Sequence, residues 1–293
     1  MAASQMQISS RDQNLRQSAV RTRLLSRKRW GVSQMTTLRW SLEEDLRNFR
    51  DAGITRIGLT RNKIADFGDE QAAAMLRQSG LTPTSLSWAG GFTGCNGYNY
   101  RESMDDALEA IETARVVGSP LVIIYSGGQG VFTPKHGRGL VADSLKKLGD
   151  HAQRSGVRLA LQPMHRKFAR KTSLITELIE GIELIDHVRH PAVGLVVDLF
   201  SLGGSQEFLP LLPDAARLCS LVTLTDSPRD PAHEYDRLPL GRGDLPIIPT
   251  ILALEESGYR GAYEYQSLSE STWGMAYRRV IEDSAEFFDQ EIA

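Results

Sequence analysis

A chain of 293 residues has room for two ordinary domains or one large barrel. Hydrophobic residues at 41% and charged residues at 24% exclude a disordered chain, and no apolar run approaches the roughly 20 residues that cross a bilayer. Lys and Arg total 34 against 36 Asp and Glu, a net charge of −2, which excludes binding to nucleic acid through the field of the whole molecule.

Charge is concentrated at the start. Residues 1–30 hold Arg11, Arg16, Arg21, Arg23, Arg27, Lys28 and Arg29 against one acid, Asp12. With few large apolar residues and no signal-peptide core, this segment is expected to be a disordered basic tail, with some helix around 15–25. Three readings stay open for it: an arm for nucleic acid or a protein partner, an Arg- and Ser-rich transit peptide, or an extension without a selected role. Cys95 and Cys219 form neither a metal-ligand spacing nor a disulfide framework, so a reducing cytoplasm is the expected location.

From residue 31 to 293 the chain reads as one domain. The first unit is a β-type run at 31–35 followed by a helical pattern at 42–51, with Ser41 as its N-cap. Further runs at 56–60, 83–88, 121–125, 158–161, 193–198, 221–225 and 262–266 alternate with amphipathic patterns at 69–78, 103–117, 140–153, 174–187, 209–218, 246–256 and 275–288. Gly53, Gly80, Gly156 and Gly258 fall just past helix ends, where a left-handed residue is wanted. Eight strands alternating with eight helices predict a (β/α)8 TIM barrel. A doubly wound open sheet is the alternative, without a phosphate-loop fingerprint to favour it; the run Gly127-Gly128-Gln129-Gly130 lacks that pattern and reads as a flexible loop.

In such a barrel the site gathers at the C-terminal strand ends. Strand five ends in Gln162, with Pro163, Met164 and His165 after it; strand six ends in Asp198; strand seven carries Thr223 and Thr225 before Asp226; strand eight carries Glu264 and Gln266. The segments Gly31-Val32-Ser33-Gln34-Met35-Thr36-Thr37, Ser85-Leu86-Ser87-Trp88-Ala89-Gly90-Gly91-Phe92, Leu159-Ala160-Leu161-Gln162-Pro163-Met164-His165, Val193-Gly194-Leu195-Val196-Val197-Asp198 and Asp236-Arg237-Leu238-Pro239-Leu240-Gly241-Arg242-Gly243-Asp244 add to this. In order and spacing they resemble the sugar phosphate isomerase/epimerase family of xylose isomerase-like TIM barrels, over nearly all of 31–290.

The resemblance implies a pocket for a small sugar-like compound and relatives that are often homodimers or homotetramers. In that family a divalent ion, commonly manganese, is held by Glu, Asp, His and Glu at the ends of strands five to eight, the two Glu also serving as acid and base. Carried over, those positions fall on Gln162, Asp198, Thr223 and Gln266, so three of four have changed. Neutral amides and a hydroxyl offset little of the cost of dehydrating a hard cation, so no metal cofactor is expected. Ser201 stands where many relatives place a substrate-binding His, while His165, Arg229, Asp226 and Arg237 keep the family's places.

The expected assignments follow from these positions. Asp198, His165 and Glu264 are the catalytic candidates, Glu264 sharing a strand face with Gln266 one layer deeper. Substrate binding is assigned to Gln162, Gln266, Arg229, Asp226, Thr223, Ser201 and Arg237, with Trp88, Phe92, Tyr125 and Trp273 as apolar walls. Each has a plainer alternative: Asp198 as a structural partner of Arg229 or Lys171, Glu264 as a satisfied core group, the aromatics as rim packing. His136 and His233 are kept as rim residues. The expected function is metal-independent proton transfer on a sugar-like hydroxy-carbonyl compound; the alternative is a non-catalytic barrel that binds a sugar or a protein. Nucleic-acid processing of the endonuclease IV type needs several metals and many His and carboxylate ligands, which this sequence does not assemble.

Overall fold

The structure, a computed structural model, describes residues 29–94, 97–269 and 276–291. Cys95, Trp273 and most of the basic segment lie outside these residues. Eight strands, β1 (Trp30–Ser33), β2 (Arg56–Thr60), β3 (Thr82–Gly90), β4 (Leu121–Tyr125), β5 (Arg158–Leu161), β6 (Val193–Asp198), β7 (Cys219–Leu224) and β8 (Ala262–Tyr265), pair in parallel in sequence order. The register Trp30↔Tyr263 closes β8 onto β1, making a barrel with no open edge.

Eight main helices fill the crossovers: α1 (Leu42–Asp51), α2 (Asp69–Ser79), α3 (Tyr100–Val117), α4 (Pro134–Arg154), α5 (Leu178–Val188), α6 (Phe208–Ala216), α7 (Ile247–Glu256) and α8 (Tyr277–Glu291). Their apolar faces pack on the outer barrel surface in one large core that includes Leu42, Phe49, Leu76, Ile111, Leu145, Ile185, Leu212 and Leu254. Local chemistry fixes the ends. Ser41 and Glu44 exchange side-chain and backbone bonds at the start of α1, a capping box that satisfies two otherwise orphaned N–H groups. Gly80 and Gly118, at φ 74° and 75°, end α2 and α3 in the left-handed region. No helix among the described residues is long and apolar enough to cross a membrane.

The expected elements are present with shifted ends. β3 runs to Gly90 where 83–88 was expected, and α4 starts at Pro134, six residues early, because Thr133 caps it and Pro134 occupies the first turn. Arg29 and Trp30, assigned to the tail, are folded: Trp30 opens β1, and Arg29 is ion-paired with Glu255 and donates to the carbonyls of Tyr259 and Gly261. Gly127 and Gly128 pack tightly instead of loosening their loop: an added Cβ would stand 3.0 Å from Gly91 C at one and 2.9 Å from Lys171 C at the other.

The barrel interior holds Leu121, Ile123, Ala160, Val196 and Leu221, with Trp88 and Ala262 against them. These alternate along β4 to β8 with residues of the outer core, as the period of two requires. One step further along the same faces come Tyr125, Gln162, Asp198 and Thr223, which places them at the C-terminal mouth.

Candidate active site

A cavity of about 370 Å³ opens at this mouth, and its lining includes Trp88, Tyr125, Gln162, His165, Ser201, Arg237 and Gln266. Met35, Met164, Phe168, Phe200, Tyr235 and Leu268 make most of the remaining wall apolar. Several elements converge here. Trp88 and Tyr125 come from β3 and β4, and Gln162 and Gln266 directly follow β5 and β8. Phe200 and Ser201 sit on the short helix Leu199–Leu202 after β6.

Arg237 arrives from the long segment 225–246 after β7. That segment is tied down by two antiparallel bridges, Asp226↔Leu238 and Arg237↔Leu268. Asp226 anchors it further, its Oδ1 accepting the backbone N–H groups of Ser227 at 2.9 Å and Leu245 at 3.1 Å. The guanidinium is thereby delivered onto Asp198.

Asp198 is wholly buried, and among the described residues its side chain accepts from each of its hydrogen-bond partners. Arg237 Nη1 donates to Oδ1 and Nη2 to Oδ2, both at 3.0 Å. Ser201 Oγ donates to Oδ2 at 2.6 Å, and Gln162 Nε2 does so at 3.2 Å. Burial alone would raise this carboxyl, but the charge and hydrogen bonds of Arg237, with Ser201 and Gln162, outweigh it and hold Asp198 below the ordinary carboxylate range. Gln162 is oriented from its other side by Trp88 Nε1, which donates to Oε1 at 3.4 Å. Arg237 Cζ lies 4.2 Å from the centre of the Phe200 ring, which supports the guanidinium face.

His165 is half-buried between Phe168 and Phe200, with ring centres 5.0 and 5.3 Å away. Burial, opposed by Asp198 and reinforced by Arg237 and Lys167, lowers its pKa below 6.5, so the ring is neutral at pH 7. The Lys167 backbone N–H donates to Nδ1 at 3.3 Å, which leaves Nε2 as the nitrogen for a ligand. The side-chain amide of Gln266 has no protein partner among the described residues.

The structure places other candidates elsewhere. Glu264 is fully buried in the barrel interior below the cavity, held by Thr84 Oγ1 at 2.6 Å, and burial raises its pKa. Phe92 does not form a wall: past Gly90 and Gly91, both at positive φ, it turns into the outer core and is fully buried. Thr223 is buried and does not line the cavity, and Asp226 builds the 225–246 segment instead of facing the cavity. Arg229 lines a neighbouring cavity of about 210 Å³ that shares His165 and Ser201 with the first. The partner of Asp198 is therefore Arg237, and neither Arg229 nor Lys171. His136 stacks on Phe132 away from the cavity, and His233 is exposed. Glu234, Tyr235, Phe168 and Phe200 line the cavity although nothing in the strand pattern pointed to them.

Among the described residues no three His, Cys, Asp or Glu side chains converge as a metal site. Asp198 is paired with the Arg237 guanidinium, and the neighbouring strand ends carry the neutral Gln162, Thr223 and Gln266.

Residues 46–290 match the family model described as xylose isomerase-like TIM barrel. The chain belongs to that family. This xylose isomerase-like barrel is 22% identical over 236 residues to a 3-dehydroshikimate dehydratase of Pseudomonas putida, a match covering 77% of the chain and 36% of the relative. It thus spans about a third of that protein's length. In structure it is similar to the IolI protein with a bound zinc atom (TM-score 0.80, 18% identity, 90% of this chain and 97% of that one). It also resembles the 3-keto-D-glucoside 4-epimerase YcjR of E. coli (TM-score 0.73, 16% identity, 89% and 98%). At these identities the two structures speak for the fold alone.

Proposed function

We propose that the mouth cavity takes a small sugar-like hydroxy-carbonyl compound and that the chain moves a proton on it, by isomerisation, epimerisation or elimination, without a divalent metal. One observation carries this reading: His165, neutral at pH 7, lines the same cavity as the donors of Arg237, Gln162 and Gln266. The relative named for a dehydration supports the reaction class.

The roles follow from the bonding. Asp198 cannot serve as a ready base, since both its oxygens are engaged and its carboxylate form is stabilised; it orients Arg237. His165 takes the proton at Nε2 as the neutral tautomer that carries its own hydrogen on Nδ1, which forgoes the contact with the Lys167 N–H. Arg237, Gln162 and Gln266 donate to the carbonyl oxygen, whose negative charge grows as the neighbouring C–H bond breaks. Trp88 and Tyr125 are the walls, and Ser201 steadies Asp198. Arg229, in the adjoining cavity, is within the same mouth for a longer substrate.

The test is solvent-hydrogen exchange. Ketoses and cyclic hydroxy-ketones are incubated with the protein in D2O and followed by NMR. The expected result is deuterium at the carbon beside the carbonyl, unaffected by EDTA and reduced about 100-fold or more in His165→Ala. Exchange that survives His165→Ala overturns the assignment of His165. A complete absence of exchange favours the second reading, a barrel that binds a sugar without turning it over. That reading draws on Gln162 and Gln266, amides that cannot titrate where β5 and β8 end.

A further inference from the structure

A fully buried carboxylate at the floor of a ligand-sized cavity needs a counter-charge, and a metal ion or a side chain can provide it. In this chain both oxygens of Asp198 are engaged by one planar cation, Nη1 on Oδ1 and Nη2 on Oδ2 at 3.0 Å each. Ser201 and Gln162 fill the remaining directions at Oδ2. The cation is held from other sides as well as by the carboxylate. The Arg237 backbone is paired in both directions with Leu268, at 3.2 and 2.8 Å, its guanidinium lies on Phe200, and its side chain is only 10% exposed. Two of the five N–H groups are spent on Asp198, and the other three have no acceptor among the described residues. The Gln266 amide, without a partner among the described residues, lines the same cavity.

We infer that Arg237 is the resident cation of this site: its guanidinium takes the place on Asp198 that a divalent ion would need, and its outward N–H groups receive an oxygen of the ligand. This rests on the reading of the mouth cavity as the ligand site, but cation occupancy can be measured without turnover. A consequence concerns ligand choice. A metal ion binds the lone pairs of two neighbouring hydroxyls and so selects a diol, whereas the remaining guanidinium N–H groups only donate and favour an oxygen that carries negative charge. The site therefore selects a carbonyl or enolate oxygen, set against the apolar wall of Trp88, Phe168 and Phe200.

The experiment is Mn²⁺ and Zn²⁺ uptake, measured by elemental analysis after equilibrium dialysis. It compares the full-length protein with Gln162→Glu/Gln266→Glu and with Gln162→Glu/Gln266→Glu/Arg237→Ala, each checked for folding by circular dichroism. The wild type is expected to take up no stoichiometric metal. Restoring two carboxylates with Arg237 present gives at most weak uptake, and removing Arg237 as well gives about one equivalent, bound at least about tenfold more tightly because a fixed positive charge is gone. One equivalent in the wild type, or equal affinity with and without Arg237, overturns the inference. Should the triple variant not fold, the wild type decides by electron paramagnetic resonance: the signal of free Mn²⁺ must stay undiminished through one equivalent, and its loss overturns the proposal. Either result leaves the exchange test of the proton chemistry standing by itself.

Discussion

Replacing Asp198 by Asn keeps the shape of the site and removes one charge. The perturbation leaves the Arg237 guanidinium buried with no opposing carboxylate. Breaking a buried pair by removing one partner costs about 3–5 kcal/mol, chiefly because the remaining charge is uncompensated. A chain of this length unfolds with an entropy of roughly 0.6 kcal/mol per kelvin, so the loss corresponds to a fall of about 5–8 °C in Tm. Differential scanning calorimetry at pH 7 measures it. The companion variant Asp198→Asn/Arg237→Met removes both charges, and by the same reasoning it should regain at least about half of the lost Tm. A shift under about 2 °C in the single variant, or a double variant no more stable than the single, would refute the view that these two groups neutralise each other.

Further outcomes are expected from other groups. The His165 ring should titrate below pH 6.5 by NMR, and its pKa should rise in Arg237→Met, which removes a repelling charge and leaves Asp198 unpaired; a fall would contradict the electrostatics drawn above. Burial pushes the Asp45 carboxyl up to about 6, ahead of its contacts with Lys63 at 2.6 Å, Thr37 and Gln34. The folded chain then holds more protons than the unfolded one between about pH 4 and 6, so this group's contribution to stability declines as pH rises through that window. Denaturant titrations should lose that slope in Asp45→Asn, and an unchanged slope would show that another group is responsible. At Gly58 an added Cβ would come within 2.6 Å of Glu264 Cδ, a fully buried group that Thr84 holds by a hydrogen bond. Gly58→Ala is accordingly expected to cost about 1–3 kcal/mol in urea unfolding, and a neutral result would mean that the barrel floor is looser than drawn. Glu264→Gln should keep proton exchange within about threefold of the parent, since this carboxyl lies below the cavity; a loss approaching the ~100-fold expected of a general base would return it to a catalytic role.

The barrel was legible in the sequence because its signals are local: short apolar runs at regular spacing, and polar groups such as Gln162, Asp198 and Gln266 where those runs end. The Asp198–Arg237 pair was not, although both residues were candidates. It joins positions 39 apart through the 225–246 segment, which has neither helical nor strand periodicity and is shaped by Asp226 and by bridges to Leu268. Arg229 and Lys171 looked equally suitable for Asp198 on charge alone. Phe92 followed a strand and so resembled a wall residue, but two positive-φ glycines before it reverse the direction of the chain. Glu264 and Gln266 share a face by period two, and only the packing of Thr84 and Gly58 shows how far below the mouth the former lies. Phe168, Phe200, Glu234 and Tyr235 come from loops or a single helical turn, where no pattern in the sequence announces which way a side chain will turn.

Trp88 has a practical value that follows from its bond to Gln162. Its indole is a cavity wall and is hydrogen-bonded through Nε1 to the amide that itself touches Asp198, while Trp30 lies in the outer core and Trp40 packs on Phe49 and Tyr277. A compound entering the mouth changes the surroundings of this indole and leaves Trp30 and Trp40, two of the chain's four tryptophans, as they were. The chain therefore carries its own optical gauge of occupancy, by which unlabelled protein can be screened against small-molecule libraries through a change in tryptophan emission before any reaction has been assigned.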